Sequence, residues 1–170
     1  MTTPARAREE ALLADLDRVM GEAGTAEERR ASLAVALTEA LEADRCIIGT
    51  VDDAAVTCVA GLAPGLAGTP QYARLPIEQG IVGRAARERR TQRVDDVLKD
   101  PDYYSAVALT RSELAAPVLV DGAVRAMLNL ESNRPAAFSA ADARVLEAAA
   151  RWVAERLEPL ALAPPRPAAR

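Results

Sequence analysis

Leu114-Ala-Ala-Pro-Val-Leu-Val120, then Asp121-Gly122, then Ala123-Val-Arg-Ala-Met-Leu-Asn-Leu-Glu131 is the stretch on which the fold turns. Two β-rich runs, Leu114 to Val120 and Val124 to Leu130, flank a dipeptide suited to a type I′ turn, so the stretch reads as a tight hairpin. In its second strand Asn129 and Glu131 alternate with Leu128 and Leu130. Side chains two apart share a sheet face. If the leucines meet helices, the polar pair looks toward whatever covers the opposite face.

Upstream, Cys46 to Val51 and Val56 to Ala60 flank Asp52-Asp53 and read as a second hairpin. Before it lie two helical patterns. Leu12, Leu13, Leu16, Val19 and Met20 form an apolar stripe that ends at Gly21 and Gly24, and Thr25 with Glu28 makes a capping box for a helix burying Leu33, Leu37 and Leu41. Between the hairpins, Gly61 to Pro70 reads as loop, Tyr72 to Pro76 as a short strand, and Gly80 through about Arg89 as a helix. Thr91 to Val97 returns to the sheet or its edge, and Asp100-Pro101 is placed to start a helical turn. After the second hairpin Ser139 caps a long helix with Asp142 three residues on and Phe138 as staple; Val145, Leu146, Ala149, Trp152, Val153 and Leu157 are its seam. The Ala/Pro-rich tail 163–170 is expected to be disordered. The sum is an α+β protein: an antiparallel sheet with terminal helices on one face and Gly61 to Ser112 roofing a pocket on the other.

Composition narrows the function. The 170 residues suit one domain, and with 50% hydrophobic residues but only 3% aromatic ones the core must be aliphatic. A net charge of -4 without a basic block gives little drive to grip phosphates, so nucleic acid is not an expected partner. No run approaches membrane-spanning length, and the two cysteines, Cys46 and Cys58, sit in apolar runs; a cytoplasmic protein with reduced thiols is expected. The absence of histidine removes the commonest metal ligand, haem ligand and general base.

Six segments, Leu75 to Ala86 (Leu-Pro-Ile-Glu-Gln-Gly-Ile-Val-Gly-Arg-Ala-Ala), Val94-Asp-Asp-Val97, Asp100-Pro-Asp-Tyr103, Arg111 to Val118, Met127 to Ser132 and Phe138 to Asp142, resemble the GAF domain family in order and spacing. The resemblance implies a GAF-like (profilin-like) fold over residues 25–160, preceded by a packing or dimerising helix in 1–24 and followed by a tail in 161–170. It further implies a small-molecule sensor without a fixed cofactor, pairing as a homodimer through its N- and C-terminal helices and signalling to a separate protein. One branch with this fold, the free methionine-(R)-sulfoxide reductases, is similar around Gly80 to Ala86 and Ser112 to Glu131. Carried over, its cysteine positions fall on Tyr72, Val82 and Ala106, and its substrate-holding acidic positions on Glu113, Asn129 and Glu131. The binding shape is retained without the thiol chemistry.

The candidate ligand-binding residues are Tyr72, Ile81, Val82, Asp96, Tyr103, Tyr104, Glu113, Asn129 and Glu131, with no catalytic and no metal-binding residue. Several carry a second reading. Gly80 and Gly83 suit either an anion at a helix start or a tight turn with close packing. Glu113 either faces the pocket or pairs with Arg111 or another arginine at the surface. The tyrosines either line a ligand or anchor loops, and Asp95 and Asp96 fit loop-fixing better than ligand contact. The function expected is a non-catalytic sensor, with a thiol-dependent reductase and a pure interaction module as alternatives.

Overall fold

Alternation in the two hairpins sets the sheet, and a computed structural model describes it for residues 3–62, 74–104 and 109–162. The strands are β1 (Arg45–Val51), β2 (Ala55–Leu62), β3 (Arg74–Pro76), β4 (Gln92–Val94), β5 (Ser112–Val120) and β6 (Ala123–Ser132). They form one six-stranded sheet in the order β3-β2-β1-β6-β5-β4, with antiparallel neighbours throughout. The β5–β6 turn has Asp121 at φ 50° and Gly122 at φ 75°, the two positive values a type I′ turn demands. Thr91 to Val97 contributes the edge strand β4.

One face takes the aliphatic half of each alternation. Cys46 and Ile48 of β1, Leu114, Ala116 and Val118 of β5, and Ala126, Leu128 and Leu130 of β6 are all fully buried there. Helix α2 (Ala26–Ala40) and helix α4 (Ala140–Ala154) cover them with Leu33, Leu37, Val145, Leu146, Ala149 and Val153. Each leucine removed from water adds roughly 1.5–3 kcal/mol of drive toward this layer. Both helices begin on the expected capping boxes, Thr25 with Glu28 and Ser139 with Asp142.

Helix α1 (Pro4–Gly21) forms an outer layer on α2 and α4, burying Leu12 and Leu16. Polar contacts fix its angle: Arg8 pairs with Asp142, and Trp152 Nε1 donates to Asp17 Oδ1 at 2.7 Å while the Arg156 guanidinium lies 4.2 Å over the indole. Ala149, Trp152 and Val153 of the α4 seam are therefore at most 7% exposed within the single chain. Past α4 the packed chain continues two residues beyond the expected boundary at 160: Leu160 and Leu162 are buried, and Arg30 donates to the Leu160 carbonyl at 2.9 Å. Residues 163–170 lie outside those described.

The other face is half apolar. Ala115, Met127, Val51 and Val56 meet Ile81, Ala85 and Ala86 of α3 (Gly80–Glu88), with Val97 completing the cluster. Gly80 enters α3 at φ 72°, and a Cβ on Gly83 would stand 2.4 Å from the Ile77 carbonyl oxygen. Both glycines thus serve a turn and a close approach. The turn expected from Asp100-Pro101 is present, with Asp102 N donating to Asp100 Oδ1 at 3.0 Å and Tyr103 N to the Asp100 carbonyl at 3.2 Å; a 3-10 turn over Val97–Lys99 precedes it. The Asp96 carboxylate accepts from Leu98 N at 3.3 Å and caps the 3-10 turn, and the Asp100 side chain is also engaged by an arginine of α3.

Candidate functional site

The roofed face turns polar at the end where β5 begins and β6 finishes. Register sets Glu113 of β5 opposite Glu131 of β6, and Glu131 opposite Arg45, the first residue of β1. Two acids and a cation lie in a row across three strands, on the face opposite Leu128 and Leu130, with Asn129 two residues before Glu131.

The row is buried and its bonds are unevenly shared. Glu131 Oε2 accepts from Arg45 Nε at 3.0 Å and from Thr110 Oγ1 at 2.7 Å, and Arg45 Nη2 donates to Thr110 Oγ1 at 2.9 Å. Arg45, Thr110 and Glu131 are all 4% exposed or less. Asn129 Nδ2 makes a long 3.5 Å bond to Glu131 Oε1. Its Oδ1 has no partner among the described residues, although Asn129 is only 3% exposed. An amide oxygen left this way costs about 1–3 kcal/mol unless something donates to it. Glu113 has no ion-pair partner among the described residues. Burial, and after it the charge of Glu131, raises its pKa well above the usual glutamate value, against a smaller opposing contribution from the Asn129 amide.

Surface pairing of Glu113 with Arg111 does not occur. Arg111 instead reaches Asp96 at 3.5 Å, and Glu113 points inward. Asp96 thereby spends its carboxylate on the 3-10 turn, Arg111 and Lys99. Ile81 is a buried member of the α3 cluster, with Val82 and Tyr103 half-buried against it. Tyr104 is 42% exposed, and its Cβ lies 3.6 Å from where a Gly80 side chain would begin. Tyr72 lies outside the described residues. The structure therefore gathers Glu113, Asn129 and Glu131, sets Ile81, Val82 and Tyr103 in the neighbouring apolar wall, and turns Asp96 to loop-fixing.

Three residues that sequence reading missed complete the environment. Arg45 and Thr110 hold Glu131. Arg84 of α3 grips Asp100 with two bonds of 2.9 and 2.7 Å, Asp102 at 3.0 Å and Gln92 at 3.1 Å. This bidentate pair holds the Asp100 carboxyl below the usual range and ties the segment carrying Tyr103 to α3 and β4. The only local sign of Arg45 was a cation at the head of an apolar strand run. Its partner is 86 residues away.

The two thiols are poor nucleophiles. Burial pushes Cys46 far above the ordinary thiol pKa and raises Cys58 as well. Among the described residues no group of three or more His, Cys, Asp or Glu is placed to hold a metal ion, and no helix is long and apolar enough to cross a membrane.

Comparisons with known proteins agree with this architecture. The free methionine-R-sulfoxide reductase of Neisseria meningitidis, solved in complex with its substrate, superposes with a TM-score of 0.79 at 26% identity, over 95% of this chain and 94% of that one. A GAF sensor protein assigned as such in Burkholderia vietnamiensis superposes at 0.75 with 21% identity over 91% and 99%, which speaks for the fold alone. Among curated proteins, Protein YtsP of Bacillus subtilis (strain 168) is 29% identical over 79 residues, 46% of this chain; the match spans about half of that relative, 48%. The model of the GAF domain matches residues 26–158, so the chain belongs to the GAF domain family.

Proposed function

We propose that this GAF domain is a non-catalytic sensor whose ligand is a small metabolite carrying a cationic nitrogen, of the free amino acid class. The observation that carries the reading is Asn129 Oδ1, without a partner among the described residues, beside Glu113 and Glu131, a buried acceptor set in which Arg45 pairs with Glu131. An ammonium group offers donors to Asn129 Oδ1 and to the Glu113 carboxylate. The Neisseria meningitidis reductase, whose substrate is itself a free amino acid sulfoxide, supports the ligand class.

Catalysis of that reductase's kind is disfavoured by thiol chemistry. Val82 stands where the resemblance calls for a cysteine, and both thiols present are shifted away from the thiolate. The ligand's effect then passes through order in the segment tied down by Arg84, in a cytosolic signalling protein. If the protein dimerises, the outer surfaces of α1 and α4 must serve, because the inner seam is spent on intramolecular packing.

A thermal-shift titration with L-methionine sulfoxide and other free amino acids, run beside a thiol-dependent sulfoxide reduction assay, tests the reading. Saturable stabilisation without turnover is expected. Turnover would make the protein an enzyme, and indifference to every amino acid would leave an interaction module.

A further inference from the structure

The polar row holds two carboxylates and one cation. Arg45 and the Thr110 hydroxyl both serve Glu131, and no described residue offers Glu113 an ion pair. Two adjacent buried carboxylates with a single counter-charge do not both ionise without a large desolvation and repulsion cost, so the unliganded row is neutral only if one proton stays with it. Arg45 places the negative charge on Glu131, which leaves the proton on Glu113.

Burial and the charge of Glu131 favour the same assignment, against smaller opposing effects of the Asn129 amide and Arg84. Glu131 and the neutral Asn129 face it from β6, and its partner on β4 is the apolar Val94. Asp100 adds a further negative charge at longer range. Arg84 of α3, a cation that acts weakly on Glu113, is committed to Asp100 and Asp102.

We infer that Glu113 is a proton-exchange residue: it is stored as the neutral acid in the empty site and gives its proton to water as a cationic ligand group enters. The charge balance is simple. One ammonium enters, one O–H bond of Glu113 breaks, one hydrated proton leaves, and the row keeps its net charge. Affinity for a cation therefore rises with pH, by about tenfold per pH unit while Glu113 remains protonated in the free protein. The inference rests on the reading that this row receives a cationic nitrogen. A neutral ligand would show no such linkage.

The test uses the full chain labelled with 13C at the glutamate carboxyl carbons, the Glu113 resonance being assigned with Glu113→Gln. At pH 7 the free protein is expected to show Glu113 at the shift of a neutral acid. Saturation with L-methionine sulfoxide should move it to the carboxylate value. Calorimetry in two buffers of different ionisation heat should count about one proton released, and the Glu113→Gln protein should release none. A carboxylate shift in the free protein, or a proton count near zero on binding, overturns the inference while leaving amino acid binding intact. If L-methionine sulfoxide changes no resonance, the ligand reading fails separately. Methylammonium, the bare headgroup, then decides: a Glu113 shift toward carboxylate sustains the inference, and none overturns it.

Discussion

The two faces of the β5–β6 hairpin are made by the same residues counted one apart, yet they follow different rules. On the helix side, Leu114, Leu128 and Leu130 vanish into aliphatic packing that only volume and shape control. On the roofed side, Glu113, Asn129 and Glu131 are buried too, but their burial opposes folding unless each polar atom finds a partner, and Asn129 Oδ1 has none among the described residues. The first face explains why the protein folds. The second retains costs that packing alone would have removed, which is the mark of a surface kept for something else.

The comparison breaks most sharply at Arg45. Arg45→Met keeps the volume but leaves Glu131 buried without its cation, and a loss of about 3–5 kcal/mol in urea unfolding at pH 7 is expected, partly recovered by adding Glu131→Gln. Failure of the second change to recover stability would mean that Arg45 acts by packing. On the opposite face, Leu128→Ala should cost about 2–5 kcal/mol by the same measurement with no dependence on pH, since only apolar contacts are lost. Gly83→Ala should cost about 1–3 kcal/mol, because the new methyl is driven onto the Ile77 carbonyl. An unchanged unfolding midpoint there would show that α3 can slide.

Subtlest is the pH profile of Glu113→Gln. Its folded pKa is raised, so the acid's contribution to stability is fully present below the usual glutamate value of 4.5 and is lost as the pH climbs through the raised value. Relative to the wild type, the variant should gain stability toward neutral and alkaline pH and show a flatter profile. Parallel profiles would mean that Glu113 titrates normally.

Legibility in the sequence divides along the same line. Alternation in Leu128-Asn129-Leu130-Glu131, the Asp121-Gly122 turn and both capping boxes are local patterns, and each is met in the structure. Glu113 was undecided from sequence because an acid beside Arg111 has a plausible neighbour. Only the register, which sends Arg111 to Asp96, resolves it. Arg45, Thr110 and Arg84 escaped notice because their partners are fixed by strand order rather than by spacing. Asp96 takes the loop-fixing role its sequence context favours, and Tyr104, placed in the roof by its position in the chain, is 42% exposed.

The strand order has a consequence for synthesis. β1 and β6 join the halves of the sheet, and Arg45 waits for Glu131, 86 residues further along the chain. A chain emerging from the ribosome can close its first hairpin early, but it carries an uncompensated guanidinium at the margin of that hairpin until nearly the whole domain has been made. Zipping of the central seam, with the slow loop closure such distant pairing entails, thus completes the sheet and assembles the buried charge row in one late event.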